Sequence, residues 1–89
     1  MKTRFSLGQV VATQGVIALD LPLDTTLALL RRHQTGDWGE IGDEDRRENE
    51  LSLRQGFRLM SVYSVNDTKV WIITEADRSA TTILLPSEY

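Results

Sequence analysis

The residues of this 89-residue chain that could do acid–base or metal chemistry begin with its single histidine, His33. Asp37 follows four positions later and Glu48 lies further along the chain. A histidine oriented by a carboxylate is the unit that general acid–base and metal sites use. These three residues define one hypothesis, a small hydrolase or nuclease that uses a divalent cation. A non-catalytic interpretation stays open, because a histidine in the last turn of a helix also stabilises the negative end of the helix dipole.

Acidic residues are concentrated in residues 37–50, which hold seven acids and two bases. Residues 37–48 have the length of an EF-hand loop, but Gly39 and Ile41 occupy positions that require oxygen ligands, so we reject an EF-hand. A looser Mg²⁺ or Ca²⁺ site stays open, although an acidic first helical turn explains the same residues. We favour a recognition surface and assign no metal ligands. Its candidate binding residues are Asp43, Glu44, Asp45 and Glu48.

Trp38 lies between Asp37 and Gly39 in the glycine-rich segment TGDWGEIG. The predicted tight turn favours a ring that is inserted against the sheet as a structural plug. The alternative is a surface aromatic that stacks on a ligand or a partner, since tryptophan is enriched at binding hot spots. Trp38 is therefore also a candidate binding residue.

Composition and motifs exclude several kinds of site. The chain has no cysteine, which rules out disulfides, thiolate nucleophiles and cysteine-ligated metals. It has no P-loop, G-x-S-x-G elbow or dinucleotide fingerprint, and we predict no cofactor. No apolar run reaches the ~18–20 residues of a membrane span, and the first residues lack a signal-peptide core. We therefore expect a cytoplasmic protein that has no membrane partner.

A nucleic-acid partner is disfavoured by the charge. The formal net charge is −3, and the sequence shows no basic stripe of the kind that releases counterions from a phosphate backbone. Direct nucleic-acid binding would require five basic residues to cluster on one face. These residues are Arg4, Arg31, Arg32, Arg58 and Lys69.

We expect residues 1–89 to form a single domain. Its N-terminal part predicts a strand and then a helix. Residues 4–13 alternate as a strand, whereas residues 14–19 are ambiguous and we prefer a short helix. A clearer helix begins at Asp24 as N-cap and runs to about His33, with Gly36 after its end. The leucines expected on its buried face are Leu23, Leu27 and Leu30.

The last predicted helix precedes the strands. It begins at Asp43, because the acidic residues of its first turn are stabilised by the positive end of the helix dipole, and Gly56 can cap its C-terminus. Its apolar face is thin, so most of the helix should be solvated. Asn49 is expected to point inward and to hydrogen-bond the turn around Trp38.

The C-terminal third predicts a three-stranded antiparallel meander over residues 57–65, 68–76 and 81–85. Asn66 and Asp67 suit a two-residue hairpin turn because both tolerate positive φ. The first hairpin should pair Tyr63 with Val70, Val62 with Trp71, Met60 with Ile73 and Arg58 with Glu75. The second should pair Thr74 with Ile83, Ile73 with Leu84 and Ile72 with Leu85.

These elements predict an α+β fold, in which the N-terminal strand joins the meander and two to three short helices pack on it. Both sheet faces are apolar, whereas a solvated antiparallel face would alternate to polar residues. The second face must be covered by the N-terminal segment, by curling of the sheet or by another subunit. We expect a homodimer on this ground.

Three motifs resemble a group of small, uncharacterised bacterial proteins carried on plasmids and other mobile elements. They are HxxGDWG at residues 33–39, RRENE at residues 46–50 and WIITEADRSxTTILLP at residues 71–86. The resemblance covers most of the chain and implies a mobile-element setting. It implies no established activity, and no catalytic residue is carried over.

The function that the sequence favours is a non-enzymatic accessory or regulatory role. The expected partner is another protein, because a two-sided apolar sheet and an acidic flank occur without an assembled catalytic set. An acidic surface of this kind could mimic nucleic acid toward a defence protein. The metal-dependent hydrolase remains the alternative.

Overall fold

A computed structural model describes residues 2–89 and confirms an α+β fold. In that part of the chain, three helices accompany one four-stranded mixed sheet whose strand order is β1-β4-β3-β2. No helix within it combines the length and the apolar character that crossing a membrane requires. In chain order the elements are β1 (Gln9–Ala12), α1 (Gln14–Ala18), α2 (Leu23–Gln34), α3 (Asp43–Gln55), β2 (Leu59–Val65), β3 (Thr68–Thr74), β4 (Ala80–Leu84) and a 3₁₀ turn (Pro86–Glu88).

The first hairpin has the predicted register. Asn66 and Asp67 form its two-residue turn with φ values of 50° and 64°, the left-handed conformation that such a turn requires. The Arg58 guanidinium lies 3.6 Å from the Glu75 carboxylate just beyond the paired residues. The strand pairs Met60–Ile73, Val62–Trp71 and Tyr63–Val70 are all present.

The predicted register of the second hairpin is wrong by two residues. Thr74 pairs with Thr81 rather than Ile83, because residues 76–79 form the loop and Glu75 N–H bonds the Ala80 carbonyl. Arg78 fixes this loop: it adopts a φ of 61°, and its guanidinium donates to the backbone carbonyls of residues 52, 57, 75 and 76. The register differs from the predicted one by an even number of residues, so each side chain still points to the face of the sheet that the predicted register gave it. The observed pairs are Trp71–Leu84, Ile72–Ile83, Ile73–Thr82 and Thr74–Thr81.

The N-terminal strand is shorter than predicted and runs parallel to β4. Only residues 9–12 of the predicted 4–13 are paired. Gly8 explains the late start, because its φ is 64° and a β-carbon there would overlap backbone atoms of Arg78 and Ser79. The preferred short helix after it is confirmed as α1. Its N-cap Thr13 hydroxyl and Gly15 N–H both bond the Glu88 carboxylate, which ties the two ends of the described chain together.

Helix α2 buries only Leu30 of the three leucines predicted for its buried face. Leu23 and Leu27 are 72% and 52% exposed, whereas Leu29, Leu30 and His33 are buried. The N-cap is Pro22 and not the predicted Asp24. Asp24 lies in the first turn, where its carboxylate accepts a hydrogen bond from the Thr25 N–H. The helix ends at Gln34 with Thr35 as its C-cap, and the predicted Gly36 follows with a φ of 90°.

The apolar side chains divide between the two sheet faces as predicted. The first face packs against α1 and α2 and forms the main core of Val16, Leu29, Leu30, Tyr63, Val70, Ile72 and Ile83. On the second face, Ile73 and Leu84 are buried and Trp71 contacts the Tyr89 ring at 5.3 Å. The C-terminal turn therefore covers part of the face for which a second subunit was invoked.

Helix α3 and the segment 38–40 close the β2 edge of the sheet. Asn49 points inward as predicted, but its partner is the strand: its amide donates to Met60 O at 2.7 Å and accepts Met60 N–H at 3.1 Å. Val62 N–H bonds Trp38 O at 3.1 Å, and Glu40 N–H bonds Val62 O at 2.7 Å. These four bonds satisfy outward-facing backbone groups of β2.

We predict that Asn49→Ala lowers the free energy of unfolding by about 1–3 kcal/mol, because it leaves two Met60 backbone groups without protein partners. Urea denaturation of wild type and variant measures the change. Gln55→Ala on the exposed side of the same helix is the control and should cost less than about 0.5 kcal/mol. Equal losses in the two variants would contradict the assigned role of Asn49.

Candidate functional site

His33 is fully buried at the end of α2, and both of its ring nitrogens contact hydroxyls of the sheet. Nδ1 lies 2.6 Å from Ser61 Oγ, and Nε2 lies 2.9 Å from Thr74 Oγ1. The ring also packs edge-on against Phe5 and Trp38, with centroid distances of 5.2 Å and 5.8 Å. The histidine is therefore a polar core residue with its hydrogen-bonding capacity filled.

The proton positions around His33 follow from the far end of a hydrogen-bond chain. Thr81 donates its hydroxyl to the Leu7 carbonyl at 2.7 Å, so it must accept from Thr74, whose hydroxyl lies 2.7 Å away. Thr74 has then used its single hydrogen and must accept from His33 Nε2–H. Nδ1 is left as an acceptor for the Ser61 hydroxyl. The network satisfies a neutral imidazole in its Nε2–H form.

The same burial disfavours the charged imidazolium. Desolvation, with a smaller contribution from the Arg78 charge, lowers the pKa of His33 from 6.5 to about 4. A second proton on Nδ1 would also displace the hydrogen bond donated by Ser61. His33 is thus neutral across physiological pH and is closed off from a substrate.

Trp38 forms the predicted plug. Its ring is 1% exposed and stacks near Phe5 at a centroid distance of 6.2 Å. Its indole N–H donates to Glu50 Oε2 at 3.1 Å, and the same carboxylate binds the Arg4 guanidinium through both oxygens. The hydrogen bonds from Arg4, which have the largest effect, and from Trp38 hold the pKa of Glu50 below its usual range. Burial removes Trp38 from the candidate surface aromatics.

Asp37 belongs to the turn beside this plug. Its carboxylate accepts two hydrogen bonds from Arg32, at 2.7 Å and 3.2 Å, and these lower the pKa of Asp37. Its carbonyl accepts the Tyr63 hydroxyl at 2.6 Å, and burial raises the pKa of Tyr63 to about 12. The Arg32 guanidinium lies 4.6 Å from the Tyr63 ring centroid and covers it. Asp37 therefore anchors the turn to α2 and β2.

The structure does not bring His33, Asp37 and Glu48 together as the hydrolase hypothesis requires. His33 bonds Ser61 and Thr74, Asp37 bonds Arg32, and Glu48 is exposed on α3. Within residues 2–89, no three His, Asp or Glu side chains form a group that could hold a metal ion. The geometry gives that hypothesis no support.

Four surface ion pairs engage some of the charged residues and leave others, of both signs, unpaired within residues 2–89. Four of the five basic residues considered for nucleic-acid binding are in ion pairs within residues 2–89: Arg4 with Glu50, Arg32 with Asp37, Arg58 with Glu75 and Lys69 with Glu40. By contrast, four exposed acids of α3 form no ion pair in the same range. These unpaired acids are the predicted binding residues Asp43, Glu44, Asp45 and Glu48.

A groove of about 510 Å³ lies beside these acids, between α3 and the second face of the sheet. Met60 and Ile73 form part of its apolar wall, and Asp45 and Glu48 line its α3 side. Sequence reasoning missed this groove because its residues come from α3, from both strands of the first hairpin and from the C-terminus. It also missed the His33 network, whose one sequence signal is a hydroxyl residue on the apolar face of each of three strands: Ser61, Thr74 and Thr81.

Comparison of the chain with protein-family models, with curated proteins and with solved structures gives no match. No residue acquires a role from a relative. Any function assigned to the groove and its acids must therefore be argued from the structure of this chain alone.

We predict that His33 makes stability fall with acid between pH 6.5 and pH 5. The unfolded state takes up the proton near pH 6.5 whereas the folded state resists it to about pH 4, so the free energy of unfolding should drop by about 2 kcal/mol from pH 7 to pH 5. Urea denaturation at each pH measures the slope. His33→Gln should be less stable at pH 7 but should lose this slope; an unchanged slope would contradict the assignment.

We also predict that Gly39→Ala destabilises the turn around Trp38 by more than about 2 kcal/mol, whereas Gly42→Ala changes stability by less than about 1 kcal/mol. Gly39 has a φ of 76°, and a β-carbon there would overlap the Val62 carbonyl oxygen, while nothing lies within 4 Å of one at Gly42. Thermal denaturation compares the two. Similar melting temperatures for both variants would show that the close approach at Gly39 is not required.

Proposed function

We propose that this protein is a non-enzymatic accessory or regulatory protein that binds another protein. The docking surface, here called the acidic groove, is lined by Asp45 and Glu48 with Phe57, Met60, Ile73 and Tyr89. Arg58 also lines it, and its guanidinium is paired with Glu75. The observation that carries the proposal is the coincidence of unpaired acids with an apolar groove at one place on the surface.

The acids of α3 supply a charge that reaches solvent. Asp43, Glu44 and Asp45 occupy the first helical turn, where the helix dipole stabilises them, and Glu48 follows one turn later. These four acids form no ion pair within residues 2–89 and outnumber the two bases of the same stretch, Arg46 and Arg47, so residues 43–48 keep a negative electrostatic field with a net charge of −2. Such a field accelerates the encounter with a positively charged partner.

The groove supplies apolar contact beside that charge. Phe57 and Tyr89, which line it, are 53% and 70% exposed. Exposed aromatics at a concave apolar surface are typical of binding hot spots. Its volume suits a few anchoring side chains rather than an entire protein surface. The occupant that fits both features is a partner segment in which Lys or Arg residues accompany apolar side chains.

The cellular setting belongs to the same proposal. The resemblance of the three sequence motifs to proteins of plasmids and mobile elements supports an accessory role in such an element, in defence or anti-defence. A basic nucleic-acid-binding protein has the charge that this surface would recognise. We place the activity in the cytoplasm, where such partners act.

We predict that the acidic groove binds an amphipathic basic peptide. The probe is a synthetic helical peptide of alternating Leu and Lys faces, titrated into isotopically labelled protein at low salt. Amide shifts should change at Glu48, Met60 and Ile73, and Phe57→Ala should weaken binding because it removes an exposed apolar wall. Asp45→Asn with Glu48→Gln should weaken it by about tenfold, and added salt should reduce that difference.

The matched control is Asp20→Asn with Asp24→Asn, which removes the same charge from exposed acids elsewhere on the chain. It should leave the affinity nearly unchanged. An oligolysine without apolar residues should bind far more weakly than the amphipathic peptide. Equal weakening by both double variants, or shifts spread over the whole surface, would contradict a specific groove.

A further inference from the structure

The two edges of the sheet are finished in different ways. At the β2 edge, Asn49 and the segment 38–40 bond the outward backbone groups of Met60 and Val62. At the other edge, β1 lies with all four of its residues exposed. An open strand edge is a template for pairing with another strand.

The geometry of β1 shows which backbone groups are free. The amides of Gln9 and Thr13 both donate to β4, to Ser79 O at 2.9 Å and Ile83 O at 3.0 Å. Successive residues of a strand point their backbone groups to opposite sides, so the N–H and C=O groups of Val10 and Ala12 face outward. Within residues 2–89 no other element pairs with this side of β1.

The side chains of β1 carry no charge and no proline that would block pairing at an exposed edge. Natural edges are blunted by such residues, by bulges or by short strand length, and β1, with the sequence QVVA, has only its length of four residues as a defence. Val10 and Val11 are 41% and 42% exposed. The strand therefore combines free backbone groups with uncharged, β-branched side chains.

We propose that β1 pairs antiparallel with β1 of a second copy of this chain across a two-fold axis, which joins the two sheets into one of eight strands. With Val11 on the axis, the outward groups of Val10 meet those of Ala12 of the partner subunit, and Val11 packs against the partner's Val11. No charged residue of β1 is brought against a like charge.

A second copy is the occupant that completes the sheet. Symmetric pairing buries both open β1 edges at once, and each end of the joined sheet is then a β2 edge that Asn49 and residues 38–40 already close. The assembly stops at two subunits because the interface is isologous. A foreign strand would cover β1 but would bring a further edge of its own.

Analytical ultracentrifugation of the full chain over a concentration series tests the proposal, together with hydrogen exchange of single amides by NMR. Four paired residues form a small interface, so we expect dimerisation that is largely complete at about 1 mM chain. The Val10 and Ala12 amides should become protected over the same concentration range. This second measurement needs no variant.

Val11→Lys places two like charges across the axis and should weaken dimerisation by at least about tenfold. Leu51→Lys is the matched control: it adds the same charge at an exposed leucine of α3 and should dimerise as wild type does. The spectra of both variants show whether each is folded.

Three results would overturn the proposal. One is a monomer at about 1 mM, and another is a dimer in which the Val10 and Ala12 amides stay unprotected. The third is a monomer whose β1 amides become protected only when an extended Thr- and Val-rich peptide is added. That result would assign the edge to a foreign strand.

Discussion

The chain of hydrogen bonds through His33 is the constraint on which the arrangement of this domain depends. It joins α2 to β2 through Ser61, to β3 through Thr74 and, through Thr81, to β4 and the N-terminal segment at Leu7. Each hydroxyl has one hydrogen, so the chain is satisfied in one direction and one register. A helix turned by one residue would leave buried polar groups unpaired at about 1–3 kcal/mol each, which makes the network a device for specificity.

The backbone of the sheet obeys the same requirement. Asn49 takes the place of a neighbouring strand along Met60, and the Trp38 turn does so along Val62. The tryptophan plug thereby has two roles, because the ring fills the core beside His33 while its carbonyl closes the β2 edge. Three of the residues that the sequence offers as chemical candidates, His33, Asp37 and Trp38, are engaged in completing the hydrogen bonds of the fold.

Sequence predicts those features that local chemistry decides and misses those decided by distant contacts. The first hairpin is predictable because Asn66 and Asp67 suit a turn of one length, and the cross-strand pairs agree with it. The second is not, because its loop is placed by Arg78, whose guanidinium reaches carbonyls of residues 52 and 57. The predicted buried face of α2 was right for Leu30 but wrong for Leu23 and Leu27, for a related reason: His33 counts as a polar residue until two hydroxyls on other strands satisfy it. The groove could not be predicted from the sequence because its lining residues come from α3, β2, β3 and the C-terminus, which are separate in the chain.

The ion pairs of the surface bear on whether the helix dipole alone explains the acids of α3. Stabilisation by the helix dipole explains why acids are tolerated at the start of a helix, and it would do so equally well if each had a basic partner. This chain instead pairs Arg4, Arg32, Arg58 and Lys69 with acids elsewhere. Four acids of α3 remain outside these pairs, and residues 43–48, with Arg46 and Arg47 counted, keep a net charge of −2 beside an apolar groove. The helix dipole accounts for the position of the acids, whereas their lack of ion pairs within residues 2–89 is the observation on which the proposed binding of a partner rests.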